Sequence, residues 1–438
     1  MSVDLPAWLA DADPVRLLPA RRHDEALRII RPLSLLGACW FDDARGYALV
    51  RDARGVTYGV PFVVDADGPR RAAAGDGVSA ALLAALPRLA GNQWLRAKVF
   101  EQVAVQAAGG ESGIDVDQTN DLVVVNGTDR GPAVVKWDLH PMEGEQAGPA
   151  RLAALAESGF AGTPRTFALV RTQADGSSFG VATVSQYVRD AQDGWQWAVD
   201  DVRALAVSAD DRIDAAVDAV ADLVARMHAA LAGKQRRRAT RADASHWDAR
   251  ARALVDSAGL PEADAAEVGR RIGSLGEGEG TATIMIHADL HVGQVLRTGD
   301  PPRYLVIDFD GNPTEDASER AMLQPAARDV AGMLASWDHV GRVVLHRTPD
   351  LDASARERVL AWIERSQREF LAAYAAALAA AGCGDLLDRR LLTAYQVLQE
   401  CREYAYARRY LPHWRFVPDA ALPALLARST PEREDGPP

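Results

Sequence analysis

Residues 286–296 read IHADLHVGQVL and bring His287, Asp289, His291 and Gln294 into one short stretch. A second acidic cluster, VIDFDGNP, starts at Val306 and carries Asp308 and Asp310. A loop acid followed by an acid at a strand end is the minimum set for phosphoryl transfer. The first takes the proton of an attacking hydroxyl, and the second holds Mg²⁺ against phosphate oxygens. An amide oxygen between them, on Gln294, adds a hard ligand of the kind Mg²⁺ accepts. His287 suits a structural hydrogen bond to the loop backbone. The pattern H-x-D-x-H also suits a dinuclear metal hydrolase, and a third reading is a polar turn between two strands. The hydrolase needs more histidine ligands. The chain has nine His, and others such as His140, His246 and His339 lack metal-type spacing.

These residues need elements to hold them. The apolar runs TIMI and YLVI predict two short strands, one before each acid. Around them the chain divides into three regions. Residues 1–92 hold short apolar runs such as GYALVRD and GVTYGVPFVV, broken by Gly, Asp and Pro, and read as strands closed by a helix from Gly77. Residues 93–190 carry the strand pair DLVVVNGTDRGPAVVKWDL, with Asn-Gly as a hairpin signal, then a helix at about 147–158 and two more strands. Residues 191–438 are Ala- and Leu-rich and helical; Val217, Val220, Val224, Met227 and Leu231 recur at helical spacing. A β-rich unit followed by a helical unit is an arrangement whose junction favours ligand sites.

The segments HADLHVGQVL and YLVIDFDG resemble the catalytic loop and metal segment of the aminoglycoside-phosphotransferase-like kinases, whose pattern is H-G-D-x-x-x-x-N followed by I-D-[FW]-[DE]. Two residues depart from it: Ala288 stands for the glycine and Gln294 for the asparagine. The glutamine is similar to the maltokinase-like branch, as are DGW at 193–195, LVARMHAAL at 223–231 and RDVAGML at 328–334. The resemblance spans about residues 120–415. It implies an α+β, protein-kinase-like two-lobed fold with a β-rich N-lobe, a helical C-lobe and an N-terminal β-rich cap. It implies Asp289 as catalytic base and Gln294 and Asp308 as Mg²⁺ ligands.

An ATP-binding lobe is then expected in 93–190. The turn Asn126–Gly131, including Gly127, would cover the phosphates with backbone N–H groups, although it lacks G-x-G-x-x-G. Lys136 would pair with the α- and β-phosphates. Glu143, Glu145 and Glu157 are candidate partners of that lysine. Gln186 and Val188, at the end of the last strand, are the adenine candidates. For the acceptor, the expected contacts are His291 beside the base, Asp316 after the metal segment, and Gln396, Glu400 and Tyr404, which recur every four residues with Trp414 nearby.

The resemblance implies a small-molecule sugar as substrate. DFDGNP replaces the DFEGEP of maltokinases, and LPARRHDEALRII stands where they carry an aromatic segment. Both features count against maltose; the leading expectation is phosphorylation of glucosamine at its 6-hydroxyl, as the resemblance to the actinobacterial glucosamine-kinase-like group implies, with maltose 1-phosphate synthesis as the alternative. An amino-sugar ammonium wants a carboxylate, supplied by Glu400 or Asp316.

The composition agrees with these expectations. A net charge of −12 disfavours nucleic acid and anionic membranes as partners. Three cysteines without C-x-x-C spacing, no basic-then-apolar leader and no apolar run near ~20 residues predict a cytoplasmic chain without spans. The polar tail STPEREDGPP is expected to fray. No feature sets an oligomeric state, and a monomer is compatible with all of them.

Overall fold

The computed structural model describes residues 5–11, 17, 29, 31–66, 68–106, 110–114, 121–144 and 146–428. Glu145 and the tail from Ser429 lie outside the described residues. The chain forms two compact units. One comprises Met1–Glu157 and Pro164–Arg189, the other Ser158–Thr163 and Asp190–Pro438.

The first unit opens with a short helix, α1 (Leu5–Asp11), and a four-stranded antiparallel sheet of β1 (Ser34–Trp40), β2 (Arg45–Arg51), β3 (Thr57–Asp65) and β4 (Gly68–Arg71). Helix α2 (Val78–Leu89) follows. A six-stranded sheet then takes the order β5 (Leu95–Val99), β9 (Thr166–Ala174), β10 (Ser177–Gln186), β8 (Ala133–Trp137), β7 (Asp121–Val125), β6 (Glu111–Gly113). Helix α3 (Ala147–Ser158) connects β8 to β9. Strand periodicity explains how the two sheets join. Alternate residues of a strand point to opposite faces, so Tyr47 and Leu49 of β2 enter a core with Leu82, Val135, Trp137 and Phe179, while Ala48 and Val50 enter another with Tyr58, Val60 and Phe62. The Tyr47 and Trp137 rings stack with centroids 6.0 Å apart, and Trp137 Nε1 donates to Ser79 Oγ at 3.0 Å. The sequence divides after residue 92, yet in the structure residues on both sides of that point share one core.

The second unit is helical: α4 (Gly194–Ser208), α5 (Arg212–Ala232), α6 (Arg241–Ala258), α7 (Glu262–Ile272), α8 (Ala317–Ala321), α9 (Ala327–Arg347), α10 (Ala353–Ala380), α11 (Arg389–Arg409) and α12 (Phe416–Ala427). Asp193 caps α4 by accepting from the N–H groups of Trp195 and Gln196, and Thr240 with Asp243 forms a capping box on α6. The apolar stripe of α5 expected from spacing is buried at Val217, Val220, Val224, Met227 and Leu231. Helix α9 is buried on every side from Ala327 to Gly341, which makes it the centre of the unit. Two short antiparallel pairs interrupt the helices: β11 (Arg236–Arg238) with β12 (Ala282–Ile284), and β13 (Val295–Thr298) with β14 (Arg303–Val306). Among the described residues, no helix is long and apolar enough to cross a membrane.

Candidate active site

The stretch 286–294 leaves β12 and returns through a single 3₁₀ turn, Val292–Gln294, into β13. Its shape is set from behind by buried Asp329 on α9. That carboxylate accepts from the backbone N–H of His287 at 2.6 Å and of Ala288 at 2.9 Å, and bonds His228 Nε2 at 3.1 Å. His228 Nδ1 in turn meets the Tyr374 hydroxyl at 2.7 Å. Burial alone would raise the pKa of Asp329, but His228 and the loop N–H groups hold it below the ordinary carboxylate value. Gly332 and Gly194 allow the close approach: a Cβ would stand 2.4 Å from Leu290 O at the first and 1.8 Å from Val292 O at the second.

Ala288 has φ of +71°, the left-handed region where related kinases carry glycine. An alanine there costs about 1–2 kcal/mol and a β-branched side chain more. Ala288→Val is therefore expected to lower the thermal midpoint by about 4 °C or more in calorimetry, whereas Ala288→Gly leaves it unchanged or higher.

Both histidines of the stretch are occupied by the loop itself. His287 is buried; its Nε2 donates to Ile307 O at 2.8 Å, so its Nδ1 is the acceptor facing the Asp289 N–H at 3.4 Å. His291 Nδ1 accepts from the Gly293 N–H at 3.1 Å, and its Nε2 lies 3.4 Å from the Gln294 amide. Burial pushes the His291 imidazole below its usual range, against the pull of the Asp289 charge. Among the described residues, no three His, Cys, Asp or Glu side chains are grouped to hold a metal ion. The dinuclear hydrolase reading therefore lacks its ligands.

Asp289 itself is half-buried. Its Oδ1 accepts from Asn312 Nδ2 at 3.0 Å. The Asn312 amide is oriented in turn, since its Oδ1 accepts from the Thr314 N–H at 2.9 Å and from Thr314 Oγ1 at 2.6 Å. Asn312 thus ties down one oxygen of Asp289 and leaves the other able to accept a proton. Sequence reasoning passed over Asn312, although it closes the quoted DFDGN segment. Asn312→Asp would set a like charge beside Asp289, which opposes its ionisation. The acid limb of the pH–rate profile is expected to move to higher pH, with kcat at neutral pH down about tenfold or more.

The hairpin of β13 and β14 brings Gln294 and Asp308 together. Val295 pairs with Val306, and the Ile307 N–H extends the ladder to Gln294 O at 2.9 Å. Asp308 is exposed at the strand end with φ of +60°, a conformation that Asp tolerates better than most residues. One carboxylate from Asp308 and one amide oxygen from Gln294 would make an incomplete shell. That fits Mg²⁺, which keeps waters and takes its remaining ligands from substrate phosphates.

The acceptor residues divide. His291 and Trp414 converge through Trp195, whose ring lies 6.2 Å from His291 and 5.9 Å from Trp414. The other four are engaged by partners of their own. Asp316 is exposed and caps α8, its Oδ1 accepting from the Glu319 N–H and the Ser318 hydroxyl. Glu400 is buried against His339, whose Nε2 is 3.0 Å from Oε1. Burial raises the pKa of Glu400, and His339 only partly offsets this. Gln396 and Glu400 border a cavity of about 10 Å³, room for a single water rather than a sugar. Tyr404 is buried beneath the Arg415 guanidinium, 5.8 Å from its ring. On the neighbouring stripe of α11, Glu403 accepts from Trp414 Nε1 at 2.9 Å and from Gln399 Nε2 at 3.0 Å, and its charge acts on His291. Glu403 bonds Trp414 directly, whereas Glu400 reaches it through His339, whose ring lies 6.5 Å from that of Trp414.

In the first unit, Lys136 sits mid-strand in β8 between Leu122 and Thr183, half-buried and alternating with buried Val135 and Trp137. The 126–132 turn is stitched to the preceding segment: Gln106 N–H donates to Gly127 O at 2.8 Å, Asn126 N–H to Gly110 O at 2.9 Å, and Asp129 N–H to Ala104 O at 3.0 Å. Glu143 pairs with Arg51 at 3.4 Å and Glu157 with Lys98. The Gln186 N–H is used by Arg165 O at 2.9 Å and that of Tyr187 by Pro132 O at 2.9 Å.

A carboxylate held by an oriented amide, with an Asp–Gln pair on the adjoining hairpin and a lysine-bearing β-sheet unit earlier in the chain, defines a kinase-like phosphotransferase. The chain belongs to the phosphotransferase enzyme family (APH), which matches residues 111–348. It is 42% identical to a glucosamine kinase from Streptacidiphilus jiangxiensis, over 98% of this chain and 99% of that protein. It is also 42% identical to a glucosamine kinase from Mycolicibacterium smegmatis, over 85% of this chain and 94% of that one. A solved glucosamine kinase in complex with glucosamine, ADP and inorganic phosphate superposes with a TM-score of 0.82 at 39% identity, covering 97% of this chain and 100% of that chain.

Proposed function

We propose that this phosphotransferase moves the γ-phosphoryl group of ATP to the 6-hydroxyl of glucosamine, with Asp289 as proton acceptor. The observation that carries the mechanism is the Asn312 bond to Asp289 Oδ1, which leaves one carboxylate oxygen for the sugar hydroxyl. The substrate follows from identity to two glucosamine kinases over most of the chain. Asp308 and Gln294 would hold Mg²⁺. When bound, the metal neutralises phosphate charge. Lys136 and the loop at Gly127 take the nucleotide phosphates. With the N–H groups of Gln186 and Tyr187 used internally, adenine recognition through an N–H falls to Val188. His291 and Trp414 supply a hydroxyl contact and an aromatic face for the sugar. Free thiols at Cys39, Cys383 and Cys401 suit a cytoplasmic site of action.

Glu403 is the carboxylate placed to meet the sugar ammonium. Glu403→Gln is expected to raise KM for glucosamine about tenfold while changing KM for glucose little, because only the former loses a charge-assisted bond. Asp316→Ala should alter neither. The function itself is tested by ADP release with ATP, Mg²⁺ and a sugar panel. Turnover with glucosamine is expected; turnover with maltose alone, or with no sugar, would reject the assignment.

A further inference from the structure

Gln399, Arg402 and Glu403 share one stripe of α11. The Arg402 side chain is 22% exposed. Its Nη2 donates to Glu315 Oε1 at 3.4 Å and its Nη1 to Gln399 Oε1 at 3.3 Å. Burial and the neighbouring Arg328 charge push the guanidinium pKa down to about 10, against the pull of Glu315 and Asp289. The group remains charged at neutral pH.

The ion pair behind it does not require this charge. Glu315 Oε1 already accepts from Arg328 Nη2 at 2.6 Å, and that pair is neutral by itself. A second guanidinium on the same oxygen adds repulsion between Arg328 and Arg402, and a desolvation cost that one carboxylate does not offset. Features that cost stability in this way concentrate at functional sites.

The groups that Arg402 joins explain its place. On one side, Glu315 belongs to the segment that holds the base. Its N–H donates to Asn312 O at 3.1 Å, and Asn312 Nδ2 donates to Asp289 Oδ1 at 3.0 Å. Arg328 fixes the same Glu315 carboxylate and donates to Ala288 O at 3.4 Å. On the other side, Gln399 Nε2 donates to Glu403 Oε1 at 3.0 Å, and Glu403 Oε2 accepts from Trp414 Nε1 at 2.9 Å. The Gln399 amide has an acceptor end and a donor end. With its oxygen turned to the guanidinium, its NH₂ faces the Glu403 carboxylate. Reversed, it would set donor against donor and acceptor against acceptor. Arg402 thereby decides which way Gln399 points.

We propose that Arg402 is a positioning residue for the acceptor: anchored on Glu315, it orients Gln399 and, through it, fixes the Glu403 carboxylate relative to Asp289. This role rests on Glu403 being the contact of the sugar ammonium. Arg402 itself touches no reacting group.

Steady-state kinetics of Arg402→Gln, Glu403→Gln and the double variant test it. Arg402→Gln is expected to raise KM for glucosamine about fivefold, with kcat and KM for ATP within about twofold. Its melting temperature should not fall, because Glu315 keeps Arg328. In the double variant, KM should match that of Glu403→Gln alone, since the path ends at that carboxylate. Arg402→Lys keeps the charge but not the fork that spans two partners, so KM should stay raised. Gln399→Met leaves the Glu315 ion pairs intact and should reproduce the rise even if Arg402→Gln folds poorly. Unchanged KM in both Arg402→Gln and Gln399→Met, full rescue by lysine, or effects that multiply in the double variant would overturn the positioning role alone. A parent KM in Glu403→Gln would reject the ammonium contact, and the positioning role with it.

Discussion

Asp289→Asn is expected to lower kcat by about 10³-fold, within the 10²–10⁴-fold span of a positioned general base, while ATP affinity stays within about threefold. The substitution is nearly isosteric. The new side-chain oxygen can still accept from Asn312 Nδ2, and the backbone around it remains fixed by Asp329, which bonds the N–H groups of His287 and Ala288. The loss is confined to the proton acceptor and its charge. Single-turnover assays with an independent nucleotide-binding titration separate the two effects. Turnover within a few-fold of the parent enzyme would show that Asp289 is not the base.

Asp308 comes second in effect. Asp308→Ala should abolish the Mg²⁺ dependence of nucleotide binding and reduce turnover by at least about 10²-fold, since a bound metal ordinarily contributes several kcal/mol of charge stabilisation. The residue holds φ of +60°, so alanine adds backbone strain to the loss of a ligand. Asp308→Asn is the matched control because Asn also tolerates that conformation. Both variants should lose the Mg²⁺ effect, and only the alanine should also lower the melting temperature. A Mg²⁺ titration unchanged from the parent would contradict the ligand assignment.

The proximity of Asp289, Gln294 and Asp308 was legible because the three are close in sequence. Asp289 and Gln294 share one loop, and the β13–β14 hairpin delivers Asp308 beside them by simple register. Asn312 lies only four residues further on, but its role depends on which way its amide points, and Thr314 decides that. The acceptor side was much less legible. Helix α11 carries polar residues on several sides, so the stripe Gln396, Glu400, Tyr404 and the stripe Gln399, Glu403 are equally regular. Only packing against His339 and Trp414 separates them. Asp316 did carry a warning: Asp followed three residues later by Glu319 is a helix-start signature, and its carboxylate is used there. The half-buried acid is its neighbour Glu315, whose partners Arg328 and Arg402 are distant in sequence and outside the reach of local pattern.

The N-terminal boundary was missed for a similar reason. Both faces of β2 are apolar, which reads as one buried strand. That Tyr47 and Leu49 face the core of the larger sheet while Ala48 and Val50 face a second core is a tertiary fact. It joins residues 1–92 to the β-sheet unit that follows.

The most direct test of the account is the product itself. Purified enzyme, ATP, Mg²⁺ and glucosamine are incubated, and the reaction is followed by ³¹P NMR with phosphorus–proton correlation. The account predicts a new phosphomonoester signal correlated to the two C6 protons of glucosamine, growing in step with ADP. Phosphorus correlated to C1, or ADP formed with no phosphorylated sugar, would contradict it.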